Sequence, residues 1–118
     1  MSSPSDRRHS ARLVDSLSFK LGFDGYDFIS HTLNISATGL LCTLKTEVPV
    51  MSKVRMALIL PSRVVGGKSK TLQLKGVVVR NEPADDGGVR TAIFFLDMNA
   101  ADRRALDSYV GRRPESNA

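Results

Sequence analysis

Thr71-Leu72-Gln73-Leu74-Lys75-Gly76-Val77-Val78-Val79-Arg80 is the longest run of strand character in the chain. In an extended segment Leu72, Leu74 and Val78 share one face, and Val77 and Val79 fall on the other, which predicts partial cover on both sides. The same signal, period-two alternation rich in Val, Leu, Ile and Phe, recurs outward in both directions. Toward the N-terminus it marks Lys53 to Leu60 after the Val48-Pro49 break, with Pro61 to Ser69 as a loose connection containing Gly66-Gly67. Before that come Gly39 to Lys45, Tyr26 to Leu33, and a first segment from Leu13 to Leu21 that Gly22 to Gly25 closes. In that first segment Leu17, Phe19 and Leu21 face one way and Ser16, Ser18 and Lys20 the other. Toward the C-terminus, Pro83 to Gly88 is a polar turn and Val89 to Leu96 the last strand.

Six strands with short connections predict an antiparallel barrel or a sharply curled sheet, because so many open edges are ordinarily closed or covered. The period then changes. Asn99 is placed to cap a helix from Ala100 to Val110, with Asp102 in its first turn and Gly111 to stop it. Leu106, Tyr109 and Val110 form its apolar stripe, wide enough to lie across a barrel mouth. Arg112 to Ala118 reads as a disordered tail, and no repeat of solenoid length is present.

At 118 residues, 42% hydrophobic and 25% charged, the chain has the size and composition of one globular domain. No apolar run approaches the ~18 residues of a membrane span. Nothing apolar follows Arg7-Arg8 as a signal peptide requires, so a cytoplasmic location is expected. Cys42 is the single cysteine, which excludes an intrachain disulfide, and within Leu40-Leu41-Cys42-Thr43-Leu44 it reads as a buried, inert thiol. Seventeen basic against 12 acidic residues give +5, concentrated at the two ends, as suits an anionic partner.

Two short polar signatures carry the chemistry. Arg8-His9-Ser10-Ala11-Arg12 follows Pro4 and is too short and polar for a preformed helix, so it is read as a flexible arm over residues 1–12. Its guanidinium groups are suited to paired hydrogen bonds with phosphate or the O6/N7 edge of guanine, and to stacking on a planar ring. Asn34-Ile35-Ser36-Ala37-Thr38-Gly39 joins two strands; Asn34 supplies an amide, Ser36 a hydroxyl, and Gly39 a backbone conformation or close approach closed to other residues. Small side chains at Ser36, Ala37 and Gly39 leave room for a flat ring. Charge-assisted bonds of about 1.5 to 3 kcal/mol each would oppose an ordering cost of about 1 to 2 kcal/mol per arm residue. Moderate affinity with a large disorder-to-order change is expected.

Arg8-x-x-x-Arg12 followed by Asn34-x-Ser36-x-x-Gly39, with Gly76-Val77-Val78-Val79-Arg80, Thr91-Ala92-Ile93-Phe94-Phe95 and a closing helix in that order, resembles the PilZ domain, a bacterial receptor module for cyclic di-GMP. The resemblance covers nearly the whole chain. It implies a mainly β fold, a six-stranded antiparallel split barrel over residues 13–111 with a flexible N-terminal arm and one C-terminal α-helix. It further implies that Arg8 and Arg12 bind guanine edges and phosphates, that Asn34 and Ser36 contact a guanine, and that Gly39 shapes the turn. Arg7, one further guanidinium, is expected to favour two stacked ligand molecules over one, and Ala37 and Arg80 are accessory candidates. Asn34 stands where the family also uses Asp and offers one good acceptor for guanine N1–H and N2–H. No cofactor beyond the ligand is implied, and the partner of the signalling state is an unidentified downstream protein.

The enzyme classes find no support. Gly67-Lys68-Ser69 ends like a phosphate-binding loop, but Ser62 occupies the position of the required glycine and a strand follows where a helix should. No nucleophilic triad or carboxylate pair is suggested, and His31 has no companion at metal-ligand spacing. A single-stranded nucleic-acid binder lacks a stacking platform, since Phe19, Phe94 and Phe95 read as core. A protein-interaction module working without ligand is the other alternative.

Overall fold

The computed structural model describes residues 16–62 and 65–111. Six strands, β1 (Ser18–Phe23), β2 (Tyr26–Ile35), β3 (Gly39–Leu44), β4 (Lys53–Leu60), β5 (Lys70–Pro83) and β6 (Val89–Phe95), precede one helix, α1 (Ala100–Gly111). The strands pair antiparallel in the order β1-β2-β3-β6-β5-β4, and β4 returns to β1 to close the barrel. Closure leaves no strand with an unpaired edge.

Alternation selects the interior. Leu17, Phe19 and Leu21 point inward while Ser16, Ser18 and Lys20 are exposed, as their spacing predicts. Ile35, Met56, Leu58, Leu72 and Ile93 complete a core in which each large side chain is almost wholly buried, worth about 1.5–3 kcal/mol apiece. Asp24-Gly25 makes the β1–β2 turn with positive φ at both residues (53° and 81°), the geometry that matches strand twist in a two-residue hairpin.

Polar groups inside the barrel are paired. Leu17 N–H donates to Thr32 Oγ1 (3.0 Å) and Thr32 N–H to the Leu17 carbonyl (2.9 Å), fastening the chain just before β1 to β2. Thr91 Oγ1 donates to Asn81 Oδ1 (2.9 Å), and Asn81 Nδ2 to the Val48 carbonyl (2.8 Å), which ties β6, β5 and the β3–β4 connection together. The helix begins where expected: Asp102 N–H donates to Asn99 Oδ1 (2.7 Å), and Arg103 N–H closes the first turn on the Asn99 carbonyl (2.9 Å). Leu106, Tyr109 and Val110 are buried and join the barrel core.

Several boundaries differ from the sequence expectation; β1 runs on to Phe23, β5 starts at Lys70, and β3 and β6 each end one residue early, at Leu44 and Phe95. β1 begins at Ser18, and residues 13–15 lie outside the described residues. β2 runs on to Ile35, so Asn34 belongs to a strand and the turn shrinks to residues 36–38. β5 extends to Pro83, which pairs with Val89 at the strand's last position, where a missing N–H is tolerated. Gly111 is the last helical residue. Phe94 is also corrected: it is 49% exposed, because the same alternation that buries Phe95 turns its neighbour outward. Among the described residues no helix is long and apolar enough to cross a membrane.

Candidate functional site

Two register shifts build the outer surface around the second motif. On β2 the pairing passes from Thr32↔Cys42 to Asn34↔Leu41, and on β5 from Val78↔Ile93 to Arg80↔Ala92. Each shift inserts one residue, so two successive side chains lie between inward neighbours: Leu33 and Asn34 between Thr32 and Ile35, Val79 and Arg80 between Val78 and Asn81. Leu41 pairs with Ala92, which sets both bulges at one level across four strands: Asn34, Leu41, Ala92, Arg80. Neither bulge is visible as a Gly or Pro signal. Alternation continues past Val78 only if the insertion is known.

The turn after Asn34 is held atom by atom. Ser36 N–H donates to the Gly39 carbonyl (2.9 Å), and Phe95 N–H to the Thr38 carbonyl (2.9 Å). The Ala37 carbonyl accepts from Arg103 Nη1 at 2.7 Å, a bond from the opening of α1 across 66 residues of sequence. Ser36 Oγ lies 3.2 Å from Thr38 Oγ1 and accepts from the Thr38 N–H at 3.3 Å, so this hydroxyl organises the turn itself. Gly39 is required by approach rather than by φ. A Cβ there would be driven into the Ile93 carbonyl oxygen of the paired strand, with the Ile93 carbonyl carbon and Phe94 Cα at 3.3 Å.

These elements enclose an open groove of about 260 Å³ lined by Asn34, Ser36, Thr38, Gly39, Arg80 and Phe94, among others. The Asn34 amide has no hydrogen-bond partner among the described residues and is half-buried in the groove wall. Arg80 lies 3.7 Å from Glu82, an exposed pair that holds the guanidinium weakly. Val79 and Phe94, 47% and 49% exposed, give the groove apolar surface against which a planar ring can rest. Thus Asn34, Ser36, Gly39 and Arg80 share one groove; Ala37 is not among its lining residues, and its carbonyl is held by Arg103. Arg7, Arg8 and Arg12 lie outside the described residues, as do the remainder of the 1–12 arm and the 112–118 tail.

A larger groove of about 720 Å³ lies elsewhere, between Asp27–His31 and Asp86–Gly88. Its lining sets two carboxylates, Asp27 and Asp86, against one lysine, Lys45, whereas the Asn34 groove has Arg80 and no carboxylate in its lining. Among the described residues no group of three His, Cys, Asp or Glu can hold a metal. Burial pushes the Cys42 thiol up from 9.0 to about 12, which leaves it protonated and inert. Gly67-Lys68-Ser69 is exposed and runs into β5, as its failed motif predicts.

Two groove residues, Phe94 and Val79, and one residue that holds the turn from outside the groove, Arg103, escaped the sequence reading. Phe94 was legible from its alternation with Phe95 and Val79 from its alternation with Val78, whereas the outward turn of Arg80 needs the bulge. Arg103 carried one clue: a cation in the opening turn of a helix opposes the helix dipole and needs an acceptor of its own.

The family model described as the PilZ domain matches residues 6–112. No curated protein matches the chain in sequence. Among solved structures, the Bacillus subtilis inhibitor of motility MotI (DgrA) is similar at a TM-score of 0.79 and 21% identity, over 91% of this chain and 51% of that one. The K. pneumonia MrkH–c-di-GMP complex is similar at 0.62 and 16%, over 86% and 50%. The chain spans about half the length of each.

Proposed function

Because this chain belongs to the PilZ domain family, we propose that it is a receptor for cyclic di-GMP, binding it in the groove that carries Asn34, Gly39 and Arg80 and clasping it with Arg8 and Arg12. The observation that carries the reading is the alignment of both bulges beside the Ser36–Gly39 turn: it gathers an amide unpartnered among the described residues, a guanidinium and exposed apolar surface at one level of the barrel. A cyclic purine dinucleotide presents the complement, two flat bases with donor and acceptor edges and two phosphates.

In this proposal the Asn34 Oδ1 accepts from a guanine N1–H or N2–H, and Val79 and Phe94 support the ring. Ser36 acts mainly by fixing the turn, and Ala37 offers bulk small enough for the base to approach. Arg8 and Arg12, with fork-shaped donors, take phosphate oxygens and the guanine O6/N7 edge. Arg7 brings a third guanidinium, and two stacked ligand molecules per chain are proposed on that account. Ligand can alter a downstream partner's surface only by interacting differently with two states of the receptor, and engagement of residues 7–12 against the barrel supplies that difference.

Isothermal titration with cyclic di-GMP tests the reading. Saturable binding, with two ligands per chain in wild type and one in Arg7→Ala, is expected. A stoichiometry of one in wild type removes the stacked pair, and a flat titration of folded protein removes the receptor reading in favour of a ligand-independent interaction module. Steep salt-dependent binding of oligonucleotides without a response to cyclic di-GMP would instead support a single-stranded nucleic-acid binder.

A further inference from the structure

The carbonyls of the turn at Ala37, Thr38 and Gly39 all have donors. Two are backbone N–H groups, Phe95 for Thr38 and Ser36 for Gly39; the third, for Ala37, is the Arg103 guanidinium. We infer that Arg103 is a positioning residue that sets the binding turn from α1 and thereby couples the docked helix to ligand affinity. This rests on the proposed use of the groove.

The geometry favours a directed link over an incidental surface contact. Arg103 Nη1 reaches the Ala37 carbonyl at 2.7 Å from a half-buried side chain, and its own backbone N–H is fixed on Asn99 in the capped first turn. In a helix the Cα–Cβ bond leans toward the N-terminus, so a residue here projects past the helix start toward the β2–β3 turn. A charged donor on a half-buried carbonyl is shorter and stronger than a neutral pair. The neighbouring Arg104 is exposed and has no partner among the described residues, which makes it the matched control. Ala37 lies between Ser36 and Thr38, whose hydroxyls meet at 3.2 Å, so release of its carbonyl frees the peptide planes that carry the groove's rim. Leu106 and Val110, three and seven residues beyond Arg103, lie on the same side of α1 and, with Tyr109, are buried against the barrel. The helix is therefore a fixed post for the guanidinium.

Because positioning energy enters both ends of a linkage, whatever the bond does for affinity, ligand does in return for the helix. Arg103→Met keeps the aliphatic stem and removes every donor, Arg103→Lys restores one donor, and Arg104→Met controls for charge. Two readouts are taken on each full-length variant: cyclic di-GMP affinity, and amide hydrogen exchange at Ser36 and Thr38 without ligand. Arg103→Met should weaken affinity five- to thirtyfold, about 1–2 kcal/mol, and speed exchange at those two amides by a similar factor. Arg103→Lys should recover part of both, and Arg104→Met should change neither. A merely structural arginine would lower the melting temperature and accelerate exchange throughout the barrel with affinity unchanged, which overturns the inference. Unaltered turn exchange in Arg103→Met also overturns it. Should wild type fail to bind cyclic di-GMP, the receptor reading fails, while turn exchange without ligand still decides whether Arg103 positions the turn.

Discussion

Replacing Gly39 with alanine perturbs a position where the strand pair, not φ, demands glycine. The added methyl meets three backbone atoms of β6: the Ile93 carbonyl oxygen head-on, and the Ile93 carbonyl carbon and Phe94 Cα at 3.3 Å. No rotamer can relieve this, since none of the three belongs to a side chain. β3 must therefore move away from β6, at the end of a ladder of six residue pairs from Gly39↔Phe94 to Leu44↔Val89. Overpacking of this kind costs about 1–3 kcal/mol, and parting of the terminal pair forfeits a further bond of about 1 kcal/mol, so a loss of about 2–4 kcal/mol is expected. At about 4–8 °C per kcal/mol for a domain of this size, the melting temperature should fall by at least about 8 °C. Gly25→Ala is the comparison: nothing lies within 4 Å of its Cβ, and only the φ of 81° opposes it, a cost of about 1–2 kcal/mol. Urea unfolding monitored by circular dichroism should show the Gly39 variant with the lower midpoint and an unchanged m-value. Equal midpoints for Gly39→Ala and wild type would refute the close-approach argument.

Arg8→Ala and Arg12→Ala should each abolish or severely weaken cyclic di-GMP binding in calorimetry while the unliganded melting temperature stays within about 2 °C; a large loss of stability would mark them as structural. Phe94→Ser removes an outward, 49% exposed ring and should leave urea stability within about 0.5 kcal/mol while weakening ligand. Thr91→Val strips the donor to Asn81 Oδ1 inside the barrel and should cost about 1–3 kcal/mol in urea unfolding, because that oxygen is left without its donor. Cys42 has its thiol pushed from 9.0 to about 12 in the folded state, so above pH 9 the unfolded chain binds fewer protons and stability falls as pH rises, by up to about 1.4 kcal/mol per unit. Cys42→Ala should show a shallower decline over pH 9–11, and equal slopes would contradict the burial.

The six strands, their alternation and the capped helix were legible because each is a local signal: period two around Leu72 and Leu74, Asp24-Gly25 at a hairpin, Asn99 before a 3.6-residue stripe. The groove was legible only by half. Asn34, Ser36 and Gly39 advertise themselves as polar and small residues at a strand junction, yet Ser36 proves to hold the turn and Asn34 sits within β2. Val79 and Phe94 follow from alternation alone, but the outward face of Arg80 and the role of Arg103 depend on partners distant in sequence: a bulge measured against Ala92 and a carbonyl 66 residues away. Such contacts are set by topology, and no window along the chain contains both sides of them.

The receptor function proposed for this domain requires cyclic di-GMP to occupy the Asn34 groove. Amide chemical-shift mapping during titration of ¹⁵N-labelled protein with cyclic di-GMP tests it most directly. Shifts concentrated at Asn34 to Leu41, at Val79 and Arg80, and at Phe94 are expected. Shifts centred instead on Asp27 to His31 and Asp86 to Gly88, or an unchanged spectrum at saturating ligand, would contradict it.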